Sequence, residues 1–337
     1  MRFEAQGFTT RYGSGLFAEL TAGLDSWLVV TQPEPWAVVS TEADHPPEQV
    51  VTAGDLSPEH LELLVDTLPP VDAIVGVGGG SAMDTAKWIA WRRGVSLHNV
   101  PSVPSVNACF TRMVALRDVG GVRYEGDAVP EAVWVDFDLM RSAEAALVRG
   151  GIGDVLSCHT ARFDWRLAVD AGVEDHPWDE GAAQMSLNYL AELSDLAPEL
   201  AERTDDGIRR LMELHRDVGW RCHELRHARF EEGSEHFFAY TFEAVTGRTI
   251  MHGELVALGV LVMSAIQAND PTRPRAICDA ARMRTGLDEL GVTWAEIVAT
   301  LRRLPSFVEE QQLWFSVCTD LTVDDSTLDL AAEALGI

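Results

Sequence analysis

Lysine is almost absent from this chain of 337 residues, because Lys87 is the only lysine among 26 basic residues. Since arginine is accepted almost everywhere, Lys87 marks a place where a compact ammonium fits and a broad guanidinium does not. Positive charge is scarce overall, since 53 acidic residues leave a net charge of −27. Nucleic acids and anionic membranes bind basic surfaces, so this balance excludes both as partners.

Long apolar runs and paired cysteines are missing as well. No stretch approaches the ~20 uncharged apolar residues of a transmembrane helix, and the opening sequence MRFEAQGFTT lacks the apolar segment of a secretory signal. The five cysteines are odd in number, scattered and never spaced as CxxC, which is typical of free thiols in a reducing compartment. We therefore expect a cytoplasmic protein.

The first part of the chain alternates short apolar runs with helical periods. Strands are predicted at 27–30, 36–40, 73–77, 97–101 and 132–136, a helix at 57–68, and a hairpin over 113–125 around Gly120–Gly121. This alternation is typical of a doubly wound parallel sheet. We therefore assign residues 1–147 to an α/β domain.

After residue 147, strand signals nearly vanish and helical periods take over. Helices are predicted at 143–150, 153–170, 180–203, 206–228, 234–246, 253–268, 273–287, 294–303 and 325–335. Residues 148–337 are therefore expected to form an all-helical second domain.

A glycine-rich turn joins a strand to a helix in the segment DAIVGVGGGSAMDTAK, residues 72–87. The glycines at 78–80 let the backbone approach a ligand closely, and the N–H groups at the start of the following helix attract an anion. Ser81 and Asp84 have the spacing of a capping box for that helix. The turn suits a pyrophosphate, and it also suits a plain tight connection between strand and helix.

One carboxylate and two imidazoles in the second domain indicate a metal site. Asp154 lies at a helix start in GGIGDVLS, His236 lies on an aromatic helix in GSEHFF, and His252 opens an apolar helix in MHGELVALG. A buried apolar helix has little reason to begin with histidine unless the imidazole has a partner. This donor set is common at catalytic metal sites that keep positions open for a substrate, although each residue alone also fits a core or capping role.

Three other histidines offer weaker combinations. His215, His223 and His227 fall on a charged helical segment and are expected on its solvated face. Since His223 and His227 are spaced i and i+4, a second, weak metal site there stays open.

Together these motifs resemble the superfamily of iron-containing alcohol dehydrogenases, glycerol dehydrogenases and dehydroquinate synthases, in particular its glycerol-1-phosphate dehydrogenase branch. The resemblance covers about residues 70–265 and rests on VGGGSAMDTAK, VPSVPSVNA, GIGDVLS, GSEHFF and MHGELVALG, in this order. It implies an N-terminal nucleotide-binding domain built on a doubly wound parallel sheet, an all-helical metal-binding domain, and a cleft between them.

The resemblance also implies roles for individual residues. Asp154, His236 and His252 match the family's three metal ligands. The positions that match cofactor contacts form a larger set, comprising Gly78, Gly79, Gly80, Ser81, Lys87, Ser102, Ser105 and Thr111. NAD or NADP is the expected cofactor, and Zn²⁺ is expected at the three ligands in preference to Fe²⁺ or Ni²⁺.

Several departures from the family bear on substrate, metal and cofactor. Asn107 and Tyr240 stand where this branch has an aspartate and a histidine that contact substrate, which favours a neutral polyol or keto group over glycerol 1-phosphate. Cys158 stands where iron-type members have a further histidine, which favours zinc and leaves Cys158 open as a fourth ligand. The segment TQPEPW, residues 31–36, is too short for the helix expected between the first two strands, so the choice between NAD and NADP stays open.

The predicted function is reversible hydride transfer between NAD(P) and a small polyol, polyol phosphate or ketone, in a homo-oligomer of two or more chains. Asp154, His236, His252, Asn107 and Tyr240 are the predicted catalytic residues. Two alternatives stay open. One is a sugar-phosphate cyclase resembling dehydroquinate synthase, which uses NAD and zinc without net oxidation, and the other is a non-catalytic homologue that only binds a nucleotide.

Overall fold

The protein divides into two compact units in the computed structural model, which describes residues 7–105, 107–118 and 121–337. Unit 1 contains the described residues up to Val148 together with His215–Trp220, and unit 2 contains Arg149–Leu214 and Arg221–Ile337. None of the described helices combines the length and the apolar character needed to cross a membrane.

Unit 1 is built on a parallel sheet. Its strands are β1 (Thr9–Gly13), β2 (Trp27–Thr31), β3 (Gln49–Thr52), β4 (Ala73–Gly78), β5 (Ser96–Pro101), β6 (Val114–Asp118), β7 (Gly121–Glu125) and β8 (Ala132–Asp136). Six of them form the parallel sheet in the order β1-β8-β5-β4-β2-β3, and β6 and β7 pair as an antiparallel hairpin. The helices are α1 (Leu16–Ala22), α2 (Pro33–Val39), α3 (Pro58–Thr67), α4 (Gly80–Arg93), α5 (Phe137–Ser142) and α6 (Ala145–Gly150).

The central strands β2 and β4 are buried along their whole length. Their sequences, WLVVT and AIVGVG, are continuous apolar runs of the kind that a parallel sheet covered on both faces requires. Phe17, Trp27, Val29, Val75 and Val77 are among the fully buried side chains of one core against this sheet. Because both faces of the central strands are covered, a ligand can approach them only at their ends, and ligands of open α/β sheets bind at the carboxyl ends.

Unit 2 is all-helical. Its helices are α7 (Ile152–Leu156), α8 (Cys158–Ala171), α9 (Glu180–Glu202), α10 (Asp205–Leu225), α11 (Ser234–Thr246), α12 (His252–Ile266), α13 (Thr272–Ala280), α14 (Leu287–Leu290), α15 (Trp294–Glu310) and α16 (Asp325–Leu335). The apolar helix α12 is buried from Gly253 to Ser264 and packs against α7, α11 and α16. It is therefore the central helix of this unit.

The predicted fold class is confirmed, since a parallel sheet with helices is followed by helices alone. The strands predicted at 27–30, 73–77, 97–101 and 132–136 are present, and the helices predicted at 234–246 and 325–335 have the predicted bounds. The predicted hairpin is present as β6 and β7, while Gly120 in its turn lies outside the described residues. All five cysteines are free thiols, as predicted.

The prediction for the segment after β2 is wrong. Residues 36–40 belong largely to helix α2 and not to a strand, because Pro33 stands at the first position of a helix that β2 feeds directly. The connection is therefore long enough for a helix, and the next strand is β3 at Gln49–Thr52. Strand β1 was not predicted, since its sequence TTRYG is only partly buried and lies at the sheet edge.

Three smaller expectations also fail. The predicted capping box at α4 is absent, because Gly79 is the N-cap without a side-chain hydrogen bond and Asp84 pairs with Lys87 instead. The helix predicted over 273–287 ends at Ala280, and the one predicted to end at 303 continues through Pro305 to Glu310.

Candidate active site

Three side chains from three helices of unit 2 converge at one point. Asp154 lies on α7, His236 on α11, and His252 is the first residue of α12. Ligand atoms of these residues all lie within 4.8 Å of one another, and His252 Nε2 lies 3.4 Å from Asp154 Oδ1. Asp154 and His236 are buried and His252 is half-buried, so His252 is the most accessible member of the cluster.

The geometry of this cluster fits a divalent cation. Ligands bound at about 2.0–2.1 Å in a tetrahedron lie about 3.4 Å apart, which is the separation between His252 Nε2 and Asp154 Oδ1. Two imidazoles and one carboxylate are borderline and hard donors of the type that zinc accepts, with a position left open. Among the described residues, these three form the one group of at least three candidate ligands whose ligand atoms all lie within 4.8 Å of one another.

Glu235 orients one of the imidazoles and was missed by sequence reasoning. Its Oε1 lies 2.8 Å from His236 Nδ1 and accepts from the Gly233 N–H at 2.7 Å, while Thr160 Oγ1 donates to its Oε2 at 2.6 Å. A ligating histidine commonly gives its second ring N–H to a carboxylate in this way. Since Nδ1 is held, Nε2 is the ring atom left to bind a cation. Only its place directly before His236 could have indicated it.

Nearby carboxylates control the protonation of His236. Burial alone lowers the pKa of this imidazole, but the hydrogen bond and charge of Glu235, with the charges of Glu232 and Asp154, raise it to about 10. Burial also raises the pKa of Glu231 to about 8. The raised pKa favours the protonated imidazole, so a cation that binds His236 competes with a proton.

Backbone contact between α7 and α12 sets the distance between two of the ligands. A Cβ added at Gly153 would lie 2.1 Å from the carbonyl oxygen of Gly253, and one added at Gly253 would lie 2.0 Å from that of Gly150. No side chain fits at either position. Because Asp154 follows Gly153 and His252 precedes Gly253, this contact brings both ligands to the same place.

In unit 1, the glycine-rich turn lies at the carboxyl ends of two neighbouring strands. Gly78 at the end of β4 pairs in register with Pro101 at the end of β5, and its carbonyl accepts from the Ser102 N–H at 2.9 Å. Gly78 has φ +150°, and a Cβ there would lie 2.1 Å from Oε1 of Gln32. Position 78 thus has no room for a side chain. Gly79, Gly80 and Ser81 directly follow β4, and Ser105 lies four residues after the end of β5.

Gln32 is a second residue that sequence reasoning missed. It directly follows β2, which lies between β3 and β4. After β2 the chain continues to β3, toward one edge of the sheet, and after β4 it continues to β5, toward the other edge. Ligands of open α/β sheets bind in the crevice at such a switch point. A glutamine placed directly after a buried strand is the signal that could have found it.

Lys87 lies on α4, the helix that follows the glycine-rich turn, and is fully buried. Its Nζ lies 2.7 Å from Asp84 Oδ1, and it donates to the Met113 carbonyl at 2.6 Å and to Thr111 Oγ1 at 3.2 Å. Burial raises the pKa of Asp84, an effect that the charge of Lys87 opposes. The ammonium therefore holds Thr111 in place and is not exposed to a ligand.

His215 holds the segment that contains Ser102 and Ser105. It was predicted on a solvated face, but it is fully buried and its Nε2 lies 3.0 Å from the carbonyl oxygen of Pro104. This part of α10 belongs to unit 1 and is buried there, so its charged sequence gave the wrong expectation. Four residues further on, a Cβ at Gly219 would lie 3.7 Å from Cβ of Asn107, so Asn107 packs directly on α10.

The remaining candidates are placed as follows. Tyr240 on α11 donates its hydroxyl proton to Glu232 Oε1 at 2.9 Å, and its ring centre lies 6.1 Å from that of His236. Cys158 is fully buried outside the ligand cluster, and burial raises the pKa of its thiol well above the ordinary value.

The spacing on which the weak second site at His223 and His227 depended is not present. Helix α10 ends at Leu225, before His227, so the i, i+4 relation to His223 is lost. The ring of His227 instead stacks on that of His176, with centroids 4.6 Å apart.

The fold of this chain is similar to that of iron-containing alcohol dehydrogenases. A family model described as iron-containing alcohol dehydrogenase matches residues 39–143. The fold is also similar to a probable glycerol dehydrogenase from Sinorhizobium meliloti 1021, with a TM-score of 0.70 and 22% identity over 97% of this chain and 96% of that one. The glycerol dehydrogenase of Schizosaccharomyces pombe has a TM-score of 0.69 and 19% identity over 98% and 90% of the two chains.

Within this class, the curated relatives are more specific. The glycerol-1-phosphate dehydrogenase [NAD(P)+] of Hyperthermus butylicus is 29% identical over 251 residues, which are 74% of this chain and 71% of that protein. The same enzyme of Aeropyrum pernix is 29% identical over 252 residues, 75% and 69% of the two chains. The family resemblance inferred from the motifs is therefore confirmed.

Proposed function

We propose that this protein is an NAD(P)-dependent, metal-dependent dehydrogenase that transfers hydride between the nicotinamide and a small polyol, polyol phosphate or ketone. The observation that carries the proposal is the convergence of Asp154, His236 and His252, with ligand atoms within 4.8 Å of one another. The relatives named as glycerol-1-phosphate dehydrogenase [NAD(P)+] support the same cofactor and substrate class.

Zn²⁺ is the metal we propose for this site, in preference to Fe²⁺ or Ni²⁺. When bound, it supplies a Lewis acid that polarises the substrate oxygen, while NAD(P) supplies the hydride chemistry. The protein contributes ligands of fixed orientation. Glu235 holds Nδ1 of His236, so Nε2 is left to bind the cation. The Gly153–Gly253 contact fixes the helices that carry Asp154 and His252.

Unit 1 holds the cofactor in this proposal, with residues 1–147 as the nucleotide-binding domain and 148–337 as the metal and substrate domain. Gly78, Gly79, Gly80 and Ser81 place backbone N–H groups against the pyrophosphate, and Ser102 and Ser105 contact the cofactor beside them. Lys87 acts through Thr111, since its Nζ is enclosed. Asn107 and Tyr240 contact the substrate. We further propose a homo-oligomer.

A turnover experiment tests the proposal. Protein stripped with a chelator and then reloaded with Zn²⁺ is assayed for NADH or NADPH formation with polyols and their phosphates. We expect activity only after reloading, and a fall of roughly a hundredfold or more in kcat/KM for His252→Ala, because the Lewis acid contributes several kcal/mol. His223→Ala, on the exposed part of α10, is the matched control. Turnover without net reduction of NAD(P) would contradict the proposal and favour a cyclase.

A further inference from the structure

Glu232 and Tyr240 form a half-exposed polar pair beside the metal-ligand candidate His236. Tyr240 Oη donates to Glu232 Oε1 at 2.9 Å. The Tyr240 ring centre lies 6.1 Å from that of His236, which in turn lies 5.4 Å from that of His252. Both members of the pair are half-buried, so part of each side chain is accessible to a small molecule.

Glu232 is one of several carboxylates that lie close to His236. The groups that act most strongly on His236 are the carboxylates of Glu235, Glu232 and Asp154. The nearby Arg229 is turned to other partners, since it pairs with Glu174 at 2.7 Å and donates to the Phe315 carbonyl at 2.9 Å. A phosphate group placed beside Glu232 would meet a like charge.

Hydrogen-bond chemistry points the same way. The phenolic proton of Tyr240 is already given to Glu232, so the pair presents acceptor oxygens to a further molecule. Phosphate oxygens are acceptors and need donors, whereas the hydroxyl groups of a polyol are donors that a carboxylate binds well.

We propose that Glu232, held in place by Tyr240, is a specificity-determining residue that selects an uncharged polyol or hydroxyketone and rejects its phosphate ester. This inference rests on the proposed function and narrows its substrate class. It separates this protein from its relatives named as glycerol-1-phosphate dehydrogenases.

Kinetics of the zinc-loaded protein test this assignment. We expect kcat/KM for dihydroxyacetone to exceed that for dihydroxyacetone phosphate by about tenfold or more, because like charges placed side by side oppose binding. Glu232→Gln keeps the size of the side chain and removes the charge, so it should shift this ratio at least about tenfold toward the phosphate, through KM more than kcat. The same change at exposed Glu309, on α15, is the control.

Calorimetric titration with dihydroxyacetone phosphate gives a readout independent of turnover. We expect weaker binding to the wild-type protein than to Glu232→Gln. The inference is overturned if the wild-type protein prefers the phosphate ester, or if Glu232→Gln leaves both the kinetic ratio and the binding unchanged. Failure of the proposed function is distinct, because the protein would then reduce or oxidise NAD(P) with neither substrate class.

Discussion

His252 Nε2 lies 3.4 Å from Asp154 Oδ1, although 97 residues separate the two along the chain. This is the separation of two ligands of one tetrahedral cation. The imidazole is half-exposed and the carboxylate is buried. A cation that binds here therefore replaces a direct contact between the two side chains.

Removing either ligand should empty the site. We expect wild-type protein loaded with Zn²⁺ to retain about one ion per chain after desalting, since three protein ligands are the usual catalytic set. Asp154→Ala and His252→Ala should retain almost none, and exposed His223→Ala should match the wild type. Elemental analysis measures the difference. Full retention by both ligand variants would show that the ion binds elsewhere.

Glu235 should determine how tightly the ion is held. Replacing Glu235 with Gln removes the charge that His236 Nδ1 contacts at 2.8 Å, and loss of such a partner usually lowers metal affinity about 10–100-fold. Competition with a chromophoric chelator measures this affinity. Glu309→Gln, on the surface of α15, should leave it unchanged, and an unaltered affinity in Glu235→Gln would refute the orienting role.

The buried pair of Lys87 and Asp84 makes a prediction about stability. Lys87→Met leaves Asp84 buried without its cation, which should lower the free energy of unfolding by about 3–5 kcal/mol. The double variant Lys87→Met with Asp84→Leu should regain much of this loss, because neither charge then remains buried. Urea unfolding of the three proteins measures the coupling. Equal losses in the single and double variants would contradict it.

His98 makes a prediction about pH. Burial lowers the pKa of its imidazole, whose Nδ1 accepts from the indole N–H of Trp134 at 3.4 Å. Because the unfolded chain takes up a proton near pH 6.5 that the folded His98 refuses, the free energy of unfolding should fall as pH drops below about 6.5. His98→Gln should make this fall shallower. The substitution His60→Gln, at an exposed site, is the control in thermal unfolding from pH 7 to 5; identical slopes for His98→Gln and the wild type would contradict the prediction.

Sequence patterns predicted the parts of the fold where burial is uniform. Strand β4 and its glycine turn were evident because an unbroken apolar run and three glycines leave few other conformations. Helix α11 was evident because its aromatic residues recur at helical spacing between Gly233 and Gly247. In these places local preference and tertiary packing agree.

The failures occur where tertiary contacts override the local pattern. His215 lies in a charged segment, yet this turn of α10 packs against the carbonyl of Pro104 in unit 1. The residues WAVVS looked like a strand, but Pro33 begins a helix before them. Glu235 and Glu232 had no pattern at all, because their importance comes from which side chains they touch.

The contact between Gly153 and Gly253 makes a further prediction. Gly153→Ala places a methyl group where the Gly253 carbonyl oxygen lies, so the helices must separate, at a cost of about 1–3 kcal/mol or more. Thermal unfolding should show the loss and metal retention should fall with it. Gly54→Ala, where no atom lies within 4 Å of the added Cβ, is the control. A fully stable Gly153→Ala that retains its ion would contradict the role of this contact.

Because of the contact between Gly153 and Gly253, residues near the ligand cluster differ in how freely they can be substituted. Directed evolution can replace Tyr240 and Glu232 with other residues, because their side chains are half-exposed. It cannot replace Gly153 or Gly253, because any larger residue would separate the two helices that carry Asp154 and His252. New substrate preferences in this fold therefore have to arise from substitutions that leave the two glycines unchanged.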